Sequence, residues 1–575
     1  MDRSSPSAIP GLGALARYQR DWLSKDIVAG LVLTALLVPQ GMAYAELAGL
    51  PAITGLYTSI LCLIGYAVFG PSRILVLGPD SSLGPMIAAT IAPLLLADGD
   101  PARAIALSSM LALMVGGVMI LAGVARFGFV ADLLSKPTQI GYMNGLALTI
   151  VIGQLPKLFG FSVDADGLVG EAQGFIDGAT GGATVGAALA IGLASLAVIL
   201  VLQRRLPKVP AVLIAVVLSI AAVEMFDLVA RGVSVVGTLP GGFPPFTIPD
   251  VSLSDLPTLV GGALGIALVA LADTISTASS FAARRGEHVH GDQEMIGIGI
   301  SNVAAGLFQG FPVSTSGSRT AVAEQAGAKT QVTGLVGAAA ILLLLLVAPG
   351  LFRNLPQPTL AAVVIAAALS LADIPATVRL WKQRRTEWWL SIAALFGVAL
   401  LGVLPGIAVA VALSIANVFR RAWWPYQTRL GRVEGLPGFH DVTQYPEAEH
   451  LPGLVMYRFD APLFFANCRT FREEITEVVT TSPGLRWILL AAEPVTDVDT
   501  TAADMLEDLD EWLNARGVSL VFAEMKDPVR RKIERYELTR TIDPRHFFPT
   551  IDAAVDAYRA EFGERWRNDD EEGAP

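Results

Sequence analysis

Charge is scarce in this chain of 575 residues. Asp, Glu, Lys and Arg together make up 16% of it, where soluble domains usually carry about a quarter. Histidine is scarcer still. The five histidines have no metal-ligand spacing, and His288 and His290 read as solvated loop residues, so no metal centre is expected. The two cysteines, Cys62 and Cys468, fall in different parts of the chain and imply no disulfide framework. There is no Walker-type phosphate loop, which removes direct ATP drive, and no nucleophile–base or metal constellation, so an enzyme is not expected. No cofactor and no nucleic-acid partner are expected either. The formal net charge of -11 says little about partners, because much of the acid lies in the C-terminal part.

What the chain has in abundance is apolar sequence: 53% of residues are hydrophobic and the mean hydropathy is +0.55. Up to about Trp424 it runs in Ala/Leu/Val/Gly stretches such as Ile27–Val38, Ala104–Val124 and Val332–Ala348; after Tyr426 charge returns at ordinary density. Spans of about 17–25 apolar residues cross a hydrocarbon core. They fall near 27–48, 51–69, 76–97, 103–125, 137–155, 184–203, 209–225, 257–282, 292–308, 311–327, 331–348, 357–371, 388–403 and 405–421, about fourteen in all, several of them short or broken. With the N-terminus inside, the stretches on that side hold roughly 19 Lys and Arg, among them Arg3, Arg17, Lys208, Arg284, Arg285, Arg420 and Arg421. The other side holds Arg103, Lys157, Arg231 and Arg353. This asymmetry orients the chain with both ends cytoplasmic and an even number of crossings. Trp22, Trp381, Trp388, Trp389, Trp423 and Trp424 all fall at the proposed cytoplasmic ends, where amphipathic rings sit. The first apolar run follows a polar leader (1–26) without a small-residue cleavage site, and reads as a span of a multi-pass protein of the cell membrane rather than a signal peptide. Asn568 to Pro575 reads as an acidic disordered tail, within 564–575.

Ionisable residues inside spans are costly and point to function. Asp80 lies in Leu75-Val-Leu-Gly-Pro-Asp-Ser-Ser82, Asp273 in Val269-Ala-Leu-Ala-Asp-Thr-Ile-Ser-Thr277, and Arg319 in Gly310-Phe-Pro-Val-Ser-Thr-Ser-Gly-Ser-Arg319. The first and third share a pattern. A short β-prone stretch (Ile74–Leu77, Phe308–Val313) meets Gly/Pro, then hydroxyl residues, then an apolar helix. A helix broken inside the membrane has this pattern, and its first turn offers unpaired N–H groups to an anion. Ser81, Ser82, Ser316 and Ser318 add hydroxyl donors, and Gly317 permits close approach to the backbone. The motifs fall in the third and tenth spans. Seven is odd, so two seven-span halves face the membrane in opposite senses, as an inverted repeat requires, with the site between them. The structural alternatives are helix packing for the Gly-Pro and Ser steps, a hydrogen bond for Asp273 with Thr277, and a packing ion pair for Arg319 with an aspartate. All three charges lie beside proposed helix breaks, which a purely structural pair does not need.

Pro39-Gln40-Gly-Met-Ala-Tyr44, Ala48-Gly-Leu-Pro51 and Gly55-Leu-Tyr57 resemble the signature of the sulfate permease (SulP) anion transporters. Ser72-Arg73 with Gly78-Pro79, and Phe311-Pro-Val-Ser314 through Ser318-Arg-Thr-Ala-Val322, resemble its third and tenth spans. The resemblance implies an all-α membrane region of fourteen segments in a 7+7 inverted repeat with core and gate domains, elevator-like motion and a homodimer. It implies that Gln40 and Tyr44 line the anion pocket and that Ser318 and Arg319 contact the anion. It also implies that Asp273, at the spacing of a sodium site with Thr277, couples transport to H⁺ or Na⁺. Asp80 departs from the apolar residue of many relatives; an acid there repels an anion unless it is protonated, paired with Arg319 or turned away.

From about Gly438 the pattern is soluble α/β. Leu454–Phe459, Trp487–Ala491 and Ser519–Ala523 read as strands, and Cys468–Thr480 and Thr501–Arg516 as helices. A small sheet covered by helices is expected, and 438–563 resembles a STAS domain. Asp499 with Thr500 or Thr501 stands where soluble relatives carry a phosphorylatable segment, and reads as a helix N-cap in preference to a phosphosite. A cytoplasmic partner or nucleotide is a candidate ligand of this domain. The function expected is secondary active transport of a small anion, sulfate first, with bicarbonate and dicarboxylates behind it. The rivals are a nucleobase permease of the same fold and a membrane-tethered STAS regulator with little transport.

Overall fold

The apolar runs fold into helices because a chain in hydrocarbon must satisfy its backbone internally. The computed structural model describes residues 10–16, 18–95, 100–128, 135–163, 165, 167–206, 209–286 and 289–566. Arg3, Arg17, Lys208, His288 and the acidic tail from Asn568 lie outside the described residues. Two compact units are formed, Met1–Ser414 and Ile415–Pro575.

The first half runs α1 (Pro10–Ala16), α2 (Leu23–Leu47), α3 (Ala52–Phe69), β1 (Leu77–Gly78), α4 (Gly84–Ile91), α5 (Pro101–Val124), α6 (Lys136–Phe159), α7 (Gly167–Thr180), α8 (Gly186–Arg205) and α9 (Ala211–Met225). The second runs α10 (Leu256–Arg285), α11 (Gly291–Gly306), β2 (Ser314–Thr315), α12 (Gly317–Gln325), α13 (Val332–Val347), α14 (Gln357–Leu371), α15 (Ile374–Gln383), α16 (Arg385–Leu401) and α17 (Val403–Trp423). Each half has seven apolar segments, the third of each broken into a two-residue strand and a short helix. Besides α1, two helices absent from the sequence expectations, α7 and α15, each follow the fifth segment of their half, so the repeat extends to its insertions. In α15, Ala376 and Leu380 are buried while Trp381 is exposed. It is amphipathic and begins at Asp373, whose carboxylate accepts from the Ala376 N–H at 2.9 Å.

The segments pack in two groups. α2, α3, α5, α10, α11 and α13 pack on one another, and α6, α8, α9, α14 and α16 form the other set, with α2 against α14 and α9 between them. The Gly41 and Gly55 of the signature segments set the α2–α3 crossing: a Cβ on Gly55 would stand 1.9 Å from the Gly41 carbonyl oxygen. Only hydrogen fits there, as at small-residue contacts between membrane helices. Leu121, Val201, Leu218, Leu343 and Leu400 are exposed on helix surfaces, the pattern of faces turned to lipid. Among the described residues, seven helices are individually long and apolar enough to cross a membrane.

The second unit carries a six-stranded sheet in the order β4–β3–β5–β6–β7–β8. Its strands are β3 (Gln427–Arg432), β4 (Phe439–Asp441), β5 (Leu454–Phe459), β6 (Trp487–Ala491), β7 (Ser519–Ala523) and β8 (Phe547–Phe548). β5 to β8 are parallel and β3 is antiparallel to β5, so the sheet begins at Gln427, ahead of Gly438. One face is covered by α18 (Cys468–Thr481), α19 (Thr500–Asn514) and α20 (Asp527–Arg535), through Phe471, Ile475, Leu506, Leu509 and Ile533. On the other, α21 (Ile551–Phe562) packs Val555 and Tyr558 with Trp487 and Val521.

Candidate functional site

The two broken segments meet each other. β1 and β2 pair antiparallel, Leu77 opposite Thr315 and Gly78 opposite Ser314. The Ser316 N–H donates to the Val76 carbonyl at 3.2 Å, and the Val76 N–H donates to the Thr320 hydroxyl at 3.1 Å. Backbone released from helix thus finds partners in the other repeat, as irregular backbone at membrane depth must. The strands sit slightly downstream of the β-prone stretches, and α4 follows Gly78-Pro79 and the hydroxyl residues, beginning at a second Gly-Pro step, Gly84-Pro85. A turn over Asp80–Leu83 intervenes, with the Leu83 and Gly84 N–H groups donating to the Asp80 carbonyl at 3.3 Å. Ser316 caps α12, accepting from the Arg319 N–H at 3.4 Å.

Arg319 is 1% exposed. Its Nη1 donates to the Pro79 carbonyl of the opposite repeat, and its Nη2 lies 3.8 Å from Asp80 Oδ1. Its Nε and Nη2 have no hydrogen-bond partner. Asp80 Oδ2 accepts from the Ser82 N–H at 2.9 Å and the Ser82 hydroxyl at 2.6 Å.

Gln40, Tyr44, Asp80, Ser81, Asp273, Thr277, Ser316, Gly317, Ser318 and Arg319 line one cavity of about 540 Å³. Ser82 does not: it is fully buried behind Asp80, because the turn aims its hydroxyl at the two carboxylates. The far wall comes from the second helix group, with Gln139 and Met143 on α6, Gln203 on α8, Val212 on α9 and Val363 and Ser370 on α14. These uncharged residues gave no signal in the sequence beyond two glutamines near span ends. Asp273 is loosely held: Ser82 Oγ and Gln139 Nε2 approach at 3.4 Å and Tyr142 Oη at 3.5 Å, the outer limit of hydrogen bonding. A carboxylate so weakly engaged has capacity left for a proton or cation.

Among the described residues, three further buried acids lie at span edges and were not singled out: Asp255, paired with Arg103 ahead of α10, Asp26 and Glu294. Asp26 accepts from the Lys329 and Thr330 N–H groups at 2.7 and 3.2 Å and from the Thr330 and Thr333 hydroxyls at 2.7 and 3.1 Å. It closes the chain entry to α13. Glu294 accepts from Tyr66 Oη at 2.6 Å and from the Ser72 hydroxyl, tying α3 and the approach to β1 onto α11.

In the second unit Asp499 is the N-cap of α19, accepting from the Ala502 N–H at 2.8 Å and the Phe465 N–H at 2.9 Å. Thr500 and Thr501 form the first turn, with Thr501 exposed. The neighbouring Asp497 pairs with Lys532, and that hydrogen bond holds its carboxyl below the usual range.

The sulfate permease family profile matches residues 23–394, and a STAS domain matches 445–554. The chain belongs to the sulfate permease family. A protein named a probable sulfate transporter in Mycobacterium tuberculosis is 41% identical over 551 residues, covering 96% of this chain and 98% of that one. High affinity sulfate transporter 2 of Stylosanthes hamata is 30% identical over 555 residues, 93% and 83% of the two chains. The murine Solute Carrier 26 family member A9 anion transporter, solved in an inward-facing state, superposes with a TM-score of 0.88 at 25% identity, covering 97% of this chain and 96% of that one. The family and these relatives are transporters, not enzymes. The family match spans both broken segments and every residue that lines the cavity.

Proposed function

We propose that this protein is a secondary active transporter of a small anion, with sulfate first and bicarbonate or a dicarboxylate as alternatives. One observation carries the reading. A buried arginine, Arg319, keeps Nε and Nη2 without hydrogen-bond partners beside a cavity at the junction of two broken helices. A buried guanidinium with unused donors is costly unless a ligand completes it, and planar paired donors suit an oxyanion. The named sulfate transporters among the relatives favour sulfate.

In this reading the anion sits against Arg319, Ser318 and the α12 N-terminus, with Gln40 and Tyr44 across the cavity. Asp273, with Thr277, takes H⁺ or Na⁺. Removing a negative charge from the pocket favours the anion, and by linkage the anion favours the cation. The cavity wall uses the first turns of α6 and the last turns of α8 and α14. Charge asymmetry assigns that end to the cytoplasm, so the conformation is inward-facing. Alternating access then moves the α2–α5, α10–α13 group against the other in an elevator-like way. The assembly is a homodimer in the cell membrane, both termini and the STAS domain (438–563) inside, with a cytoplasmic partner or nucleotide as the STAS ligand. Uptake of labelled sulfate, bicarbonate, succinate and uracil into proteoliposomes under imposed H⁺ and Na⁺ gradients tests it. Gradient-driven sulfate accumulation is expected, and uracil uptake in its place would overturn the reading.

A further inference from the structure

We propose that Asp80 is a fixed internal competitor for Arg319, which holds the site's affinity for its anion low enough for release; this rests on the anion reading above. The geometry separates the two oxygens of one carboxylate. Oδ2 is anchored by the Ser82 N–H and hydroxyl at 2.9 and 2.6 Å, both from the same turn. Oδ1 is directed at Arg319 Nη2 at 3.8 Å, within ion-pair range but beyond a hydrogen bond. The carboxylate therefore neutralises the guanidinium without occupying its donors, and Nε and Nη2 remain free for a second acceptor. Asp80 also lines the cavity and its side chain is 14% exposed, so an incoming anion meets it directly.

Two consequences follow from Coulomb's law. The empty site is stabilised, because a buried cation without a counter-charge is strongly unfavourable. The filled site is destabilised, because Asp80 and the anion share one cation and repel each other at close range. Since Ser82 holds Asp80 in the turn, the carboxylate does not swing away. A transporter that must both capture and release its ligand gains from such a setting, as a permanently unmatched arginine would retain a divalent oxyanion.

Equilibrium binding of radiolabelled sulfate to the purified full-length protein, with melting temperatures with and without sulfate, tests this in wild type, Asp80→Asn and Asp80→Ser. Both variants are expected to bind sulfate about tenfold tighter or more, since a like charge within about 4 Å is removed. They are also expected to melt lower when empty and to show a larger sulfate-induced rise. A purely structural role for Asp80 lowers the melting temperature without tightening binding. Saturable binding in wild type that the variants leave unchanged or weaken overturns the role of Asp80 alone. No sulfate binding in wild type or either variant overturns the anion reading itself.

Discussion

Arg319 donates to the carbonyl of Pro79, so the cation of one broken helix is held by the backbone of the other. The contact crosses the two repeats at the antiparallel pair of Gly78 with Ser314. The site is therefore a property of the junction and not of either half.

If the junction supports the site, its backbone bonds should be costly to lose. Thr320→Val keeps the shape of the side chain but removes the acceptor of the Val76 N–H. A buried unsatisfied N–H costs about 1–3 kcal/mol. The expected result is a lower melting temperature in detergent together with weaker sulfate binding; an unchanged melting temperature would show that the bond contributes nothing.

Asp273→Asn should abolish accumulation of sulfate against its gradient in proteoliposomes while leaving equilibrium binding to the detergent-solubilised protein measurable. The long approaches of Ser82, Gln139 and Tyr142 say that the carboxylate is not spent on structure. Full gradient-driven uptake in this variant would remove Asp273 from the coupling step.

Asp26 is predicted to behave in the opposite way, as a structural acid. Its four bonds to residues 329–333 leave no capacity for transport chemistry. Asp26→Ala removes the acceptor of two N–H groups and of three hydroxyls, that of Tyr18 included, and should cost about 3 kcal/mol or more. Fluorescence-detected size-exclusion after heating should show early aggregation; a variant as heat-resistant as wild type would contradict this.

In the STAS domain, burial pushes the Asp510 carboxyl up to about 6, against a partial offset from the Asn514 amide donating at 2.9 Å. The folded state then holds its proton more tightly than the unfolded state. This contribution favours folding most below about pH 4 and is lost as pH rises through 6. Asp510→Asn should stabilise the domain at pH 7.5 by about 2 kcal/mol, and by roughly half as much at pH 5. Circular dichroism melts at the two pH values measure the difference, and a variant gain that grows toward low pH would reverse the sign.

Much of the fold was legible because hydrocarbon imposes a simple rule on the backbone. The proposed spans overlap the helices from α2 to α17 except α7 and α15, and Asp80, Asp273 and Arg319 stood out as charges within them. What escaped was short, amphipathic or non-local. α7, at 14 residues, is too short to read as a span, and α15 is shorter still and amphipathic. The two-residue strands depend on partners more than 200 residues away, so local β propensity placed them early. Ser82 faces the carboxylates instead of the cavity because of the turn it occupies, which its spacing does not reveal. Gln139 and Tyr142 are uncharged, and Asp26 and Glu294 lie at span edges where an acid looks ordinary. In the second unit β3 is polar in sequence and becomes a strand only by pairing with β5.

The central claim is that Arg319 receives the anion. Radiolabelled sulfate binding to purified Arg319→Ala, compared with wild type across a full concentration series, measures this most directly. The account predicts saturable binding in wild type and its loss, or at least a hundredfold weakening, in the variant, in line with about 3 kcal/mol for charge-assisted bonds to an oxyanion. Binding of equal affinity in the two proteins would contradict it and make Arg319 a structural tie between the repeats.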